Sequence, residues 1–181
     1  MNIGLVTAVS ISETHTMSKK NVKTIHLIEG LGIDGDAHMG KNVKHRSRVK
    51  KNPNQPNLRQ IHLIHSELFS ELLIKGFNII PGEMGENITT VNIDLLSLPK
   101  DTILNIGKDS QIKITGLRNP CHQLNGIQDE LMKAVLDKDI YGNLIRKAGV
   151  MGIILKSGKV SAGDEIRIEY PEKPFIHLEK V

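Results

Sequence analysis

At 181 residues with one cysteine, the chain can bury a core without covalent staples, and it excludes an intramolecular disulfide, an all-cysteine iron–sulfur cluster and a cysteine-based zinc knuckle. Hydrophobic residues make up 39% and the net charge is +4, as in an ordinary soluble globular protein. There is no run of about 18 apolar residues and no basic leader before Gly4, so a soluble, cytoplasmic protein without a membrane partner is expected.

Short β-branched or alternating segments bounded by turn residues predict strands over 4–10, 22–28, 59–64, 87–91, 102–106, 111–115, 150–155 and 165–170. The stretches 111–115 and 165–169 alternate at period two, which turns isoleucines inward and charges outward. Two segments predict helices. Over 66–75, Leu68, Phe69, Leu72 and Leu73 share a face and Gly76 stands at a C-cap position. Over 127–136, Ile127, Leu131, Met132, Val135 and Leu136 recur at helical spacing after Asn125-Gly126. The fold class expected is mostly β: one barrel-like domain over 1–181 with two or three peripheral helices.

Lys41, Lys44, Arg46, Arg48, Lys50 and Lys51 fall within eleven residues, and no acid lies between Asp36 and Glu67. Beyond Val43, Val49, Pro53 and Pro56, the segment 41–57 holds nothing to anchor a core, and it reads as a long, basic, mobile loop. Such a block attracts an anionic partner, and it equally fits a solvated loop.

Cys121 lies in Arg118-Asn-Pro-Cys121-His122, between a predicted strand and a predicted helix. Cationic neighbours and a helix N-terminus favour the thiolate, which is both nucleophile and metal ligand; the alternative is a buried, inert cysteine. The loop 32–40 packs Gly32, Gly35 and Gly40 with Asp34, Asp36 and His38, which suits a metal, a polar ligand or a plain surface turn. In the loop 81–90, Glu83 and Glu86 are candidate acid–base groups or solvated carboxylates. His62 and His65 form a possible zinc pair or two packed histidines.

Taken in order, Gly32-Ile-x-Gly-Asp-x-His38, Arg59-Gln-Ile-His-Leu-Ile64, Gly82-Glu-x-Gly-Glu-Asn-Ile-Thr89, Thr115-Gly-Leu-Arg-x-Pro-Cys121 and Gly163-Asp164 resemble the successive signature segments of the MOSC family, the C-terminal module of molybdenum cofactor sulfurases. The resemblance spans roughly residues 1–170. It implies a β-barrel-like fold and a molybdopterin-type molybdenum cofactor, with Cys121 as the catalytic thiolate that ligates the metal. It further implies that Asp36, His38, Arg59, Glu86, Asn87, Thr115 and Arg118 line the cofactor pocket. Stand-alone bacterial members resemble reductases of N-hydroxylated compounds.

Three readings follow. The first is a molybdenum-cofactor-dependent oxidoreductase acting on a small N-hydroxylated substrate and fed by an external electron donor. The second is a sulfur carrier, in which Cys121 holds a persulfide received from a cysteine desulfurase; no pyridoxal-phosphate region is expected in this chain itself. The third is a non-catalytic module for an anionic partner. Nucleic acid is disfavoured, because only Phe69, Phe77, Phe175, Tyr141 and Tyr170 are aromatic, leaving little for base stacking.

Overall fold

The computed structural model describes residues 3–44 and 49–181. In chain order the strands are β1 (Gly4–Ile11), β2 (Lys20–Val22), β3 (Thr24–Ile28), β4 (Gly32–Ile33), β5 (Ile61–His65), β6 (Ile88–Val91), β7 (Ile103–Ile106), β8 (Ser110–Leu117), β9 (Leu136–Lys138), β10 (Leu144–Arg146), β11 (Val150–Lys156), β12 (Gly158–Ser161) and β13 (Glu165–Glu169). Helix α1 (Glu67–Ile74) follows β5, and a four-residue helix α2 (Leu131–Ala134) precedes β9.

A seven-stranded barrel forms from β13-β7-β8-β11-β5-β6-β1, closed where β1 returns to β13 with Gly4 opposite Ile166. β1 serves both edges: its first residues pair with β13 and the rest with β6, across a register shift between Val6 and Ala8. The β5–β6 pair is parallel, and α1 lies in the crossover that a parallel pair needs. Alternation places Leu104, Ile106, Ile112, Ile114 and Ile166 in the barrel core with Ile61, Leu63, Ile88, Val150 and Ile154. A second cluster, built on Ile64, Leu68, Leu72, Met84, Leu124, Leu131 and Val135, seats the helices on the barrel's flank.

Two sequence expectations are corrected. The segment 127–136 is not one helix: a 3-10 turn (His122–Gly126) comes first, Glu130 adopts a left-handed φ of 64°, and only Leu131–Ala134 is α-helical before β9 begins. Leu131 and Val135 are buried all the same, so the apolar spacing marked a buried side rather than a continuous helix. The strand expected over 22–28 divides at Lys23, with β2 pairing to β1 while β3 joins β12 and β4 in a separate small sheet. In the loop 41–57, one of the two valines that could anchor a core is enclosed. Val43 is buried, and the loop's ends are tied by an Asn42–Pro56 bridge and by the Asn57 N–H on the Lys41 carbonyl at 2.9 Å. Arg46 and Arg48 lie outside the described residues. Among the described residues, no helix is long and apolar enough to cross a membrane.

Candidate functional site

The loops that leave β1, β4 and β8 and those that enter β2, β5 and β6 converge on one cavity of about 610 Å³. Its walls carry Lys19, Lys44, Lys51, Arg59 and Arg118, three histidines (His15, His38 and His62), and Cys121. None of the described lining residues is an aspartate or glutamate. A concave site with cations and no facing carboxylate favours an anionic ligand.

Asp36 organises one wall from beneath. It is buried, and its Oδ2 accepts from the Lys19 ammonium in a close ion pair, from Asn87 Nδ2 at 3.1 Å and from the Ser12 N–H at 3.4 Å. Its Oδ1 accepts from the His38 N–H at 3.0 Å and from His38 Nδ1 at 3.2 Å. Burial alone would raise this carboxyl, but the hydrogen bonds from His38 and the charge of Lys19 outweigh it and hold Asp36 well below the usual carboxylate range. Burial lowers the Lys19 ammonium from its ordinary value, and Asp36 partly opposes that shift.

Two glycines of the 81–90 loop make this wall possible. Gly82 has φ 91°, and a Cβ there would stand 2.5 Å from the Lys19 carbonyl oxygen. Gly85 has φ 84°, and its Cβ would stand 2.7 Å from the Met17 carbonyl oxygen. Bare backbone at both lets the 12–19 segment lie against the 81–86 loop, where the Lys19 N–H reaches the Gly82 carbonyl at 2.8 Å. Gly82→Ala should therefore destabilise the protein by about 1–3 kcal/mol through left-handed strain and overlap, read as a fall in Tm. An unchanged Tm would show that the two loops are not packed this way.

The opposite wall carries the sulfur. Arg118 follows β8, its N–H on the Gly149 carbonyl at 3.0 Å, and Cys121 is the half-buried residue that opens the 3-10 turn. Arg118 is buried. Its Nη2 reaches Met17 Sδ at 4.0 Å, while Nη1 has no hydrogen-bond partner among the described residues. Burial lowers the guanidinium from its ordinary value, and Cys121 and Glu86 act against that loss. Cys121 Sγ contacts Gln123 Oε1 at 3.5 Å. The turn after Cys121 is five residues of 3-10 helix rather than the start of the expected α-helix, and His122 is exposed and absent from the cavity wall.

Of the sequence-predicted residues, Asp36 supports the wall from behind, while His38, Arg59, Asn87, Arg118 and Cys121 line it. Two do not reach it. Thr115 donates to the Leu58 carbonyl at 2.7 Å and fixes the approach to β5. Glu86 is fully buried behind the wall, where Oε1 accepts from the Gly82 N–H at 2.6 Å and from the Thr89 hydroxyl at 3.3 Å; desolvation raises its pKa. Glu83 caps its own turn by accepting the Ile80 N–H at 3.0 Å. His62 donates from Nε2 to the Ala148 carbonyl at 2.7 Å, and enclosure keeps it neutral; burial also lowers His65, against the charges of Glu67, Asp94 and Glu71; no metal-holding group of three or more His, Cys, Asp or Glu occurs among the described residues. Lys19, His15, Met17 and Asn57 belong to the wall and were not marked by sequence. For Lys19 the one available signal was its place just before a strand in a Ser/Thr-rich turn.

The fold has solved counterparts. The YuaD protein of Bacillus subtilis superposes with a TM-score of 0.75 at 23% identity over 95% of this chain and 98% of that one. YiiM of Geobacillus stearothermophilus gives 0.69 at 16% identity over 96% and 79%, and YiiM of Escherichia coli gives 0.62 at 16% over 95% and 73%. No curated protein matches the sequence. The MOSC domain model matches residues 37–167, most of the barrel and the cysteine loop together, and the chain belongs to the MOSC domain family.

Proposed function

We propose that this protein binds the molybdenum cofactor in the basic cavity, with Cys121 as thiolate ligand to the metal, and reduces N-hydroxylated compounds with electrons from an external donor. The observation that carries the reading is the pairing of the chain's one cysteine with a buried arginine on a wall whose described residues include no carboxylate. The donor set fits such a group. A soft thiolate suits a sulfur-ligated metal, and the cavity volume lies in the range that encloses small cofactors. Lys44, Lys51 and Arg59 on the same wall would hold the cofactor's phosphate, and Arg118 Nη1 would offer a donor for an acceptor atom. When bound, the molybdenum centre supplies the two-electron chemistry. The chain's residues hold and orient it, and the Asp36 hydrogen bonds keep His38 and Lys19 in place at the wall.

The test is metal and pterin analysis of protein made in a cofactor-competent host, followed by reduction of an N-hydroxylated nucleobase with an artificial donor. Stoichiometric molybdenum with turnover supports the reading. Metal-free, inactive protein that gains one sulfur from a desulfurase and cysteine replaces it with the sulfur-carrier reading.

The basic loop should act through charge. With Lys44 and Lys51 both changed to glutamine, cofactor affinity should fall roughly tenfold at low salt and its salt dependence should flatten. Equal affinity at low ionic strength would remove these lysines from the binding account.

A further inference from the structure

Reducing an N-hydroxyl group consumes protons, and the described residues of the cavity wall include no carboxylic acid to supply them. Guanidinium groups do not give up protons near neutrality, which sets aside Arg59 and Arg118. His62 is enclosed, with its Nε2–H committed to the Ala148 carbonyl. Lys44, Lys51 and His15 are exposed, and Cys121 is taken as the metal ligand. Among the described lining residues, what remains are two proton-bearing groups on the two oxygens of one buried carboxylate: His38 on Oδ1 and Lys19 on Oδ2 of Asp36. Of these, Lys19 is the more deeply buried. It is buried, ion-paired, and fixed through its backbone N–H to the Gly82 carbonyl.

We propose that Lys19 donates the proton to the departing hydroxyl oxygen of the substrate, with Asp36 as its positioning residue. The inference rests on the reductase reading. The balance is R–NHOH + 2 e⁻ + 2 H⁺ → R–NH₂ + H₂O. The N–O bond breaks, the oxygen takes the Lys19 proton and leaves as water, and nitrogen gains a proton that comes from solvent. The two electrons would be supplied by an external electron-transfer protein. Hydroxide is a poor leaving group, so an acid already in place lowers the barrier. A compact ammonium on a flexible stem, shielded from water, is suited to this role. The groups facing Lys19 are the Asp36 and Glu86 carboxyls, which favour its charged form, and the His62 imidazole of β5; burial acts the other way and moves the ammonium from its ordinary range toward neutrality.

The distinguishing variant is Lys19→Arg, which keeps the positive charge and the Asp36 pair but cannot release a proton near neutral pH. In the cofactor-loaded protein it should retain molybdenum and pterin fluorescence, hold KM within about threefold, and lose kcat about 100-fold or more, together with the alkaline limb of the kcat–pH profile. A Lys19→Arg protein with near-normal kcat overturns the proposal, as does one whose activity falls only in step with its cofactor content, since that marks an anion anchor. Should the variant fail to fold, reductive ¹³C-methylation of the wild type reads the Lys19 titration directly in the cofactor-free protein. An ordinary lysine value there also overturns the proposal. Failure of the reductase reading itself looks different: a loaded wild type that does not reduce N-hydroxylated substrates, which defeats both.

Discussion

Serine in place of Cys121 should leave the protein folded, with stability changed by about a kilocalorie or less, while molybdenum retention and N-hydroxyl reduction fall to background. The side chain is half-buried, with Sγ against Gln123 Oε1 at 3.5 Å and beside the Arg118 guanidinium, so the near-isosteric hydroxyl disturbs little packing. Chemically the change is severe. A hydroxyl does not ionise near neutral pH, is a poor partner for a soft metal and cannot hold a persulfide. Arg118 remains, with Nη1 still open to an acceptor, so some pterin should bind even as metal is lost. Three measurements separate the readings: metal content, reduction rate, and intact mass after treatment with a cysteine desulfurase. Loss of the first two with no sulfur gained by wild type supports metal ligation. Gain of one sulfur by wild type and none by the mutant supports the carrier. Full activity of the mutant in both assays would refute the role given to Cys121.

The barrel was legible because its strands obey one local rule. In 111–115 and 165–169 every second residue is an isoleucine, and Ile112, Ile114 and Ile166 are indeed in the core. The short strands β4, β9, β10 and β12 escaped because two to four residues carry too little period to stand out from a turn. The helix expected over 127–136 failed for a related reason: its apolar spacing was real, but the left-handed Glu130 interrupts the chain, and spacing alone does not see backbone breaks. Closure of β1 onto β13 joins the two ends of the sequence, which no local pattern reports.

The site was legible where residues cluster in sequence and opaque where they meet only in space. Asp36, His38, Asn87, Arg118 and Cys121 stand in glycine- or proline-marked loops, and the barrel gathers those loops at one cavity. Lys19 is invisible in the same terms, because its significance is a contact across 17 positions with Asp36. The 81–90 loop was read for its carboxylates Glu83 and Glu86, whereas its Gly82 and Gly85 make room for the backbone of Lys19 and Met17. Glu86 and Thr115 had the right chemistry for a pocket but spend their hydrogen bonds holding loops in place behind it.

Asp36→Ala should be among the most damaging single changes to stability, costing about 3–5 kcal/mol, because it strands the buried Lys19 ammonium and leaves the Ser12 N–H and Asn87 Nδ2 short of an acceptor. For a domain of this size that corresponds to a fall in Tm of roughly 6–20 °C. Asp36→Asn keeps the shape and one acceptor and should cost less. The same carboxylate sets a pH dependence. Its pKa is held well below the unfolded value of about 3.9, so the unfolded chain binds the proton first. The stabilisation it contributes is therefore complete above about pH 5 and is lost progressively as pH falls through the unfolded value toward the folded one. Denaturant titrations of wild type and Asp36→Asn from pH 6 to pH 3 should show the wild type losing its advantage over that interval. Parallel curves would mean that the Asp36 ion pair contributes no net stability, and the wall would then be held by the Gly82 and Gly85 backbone contacts alone.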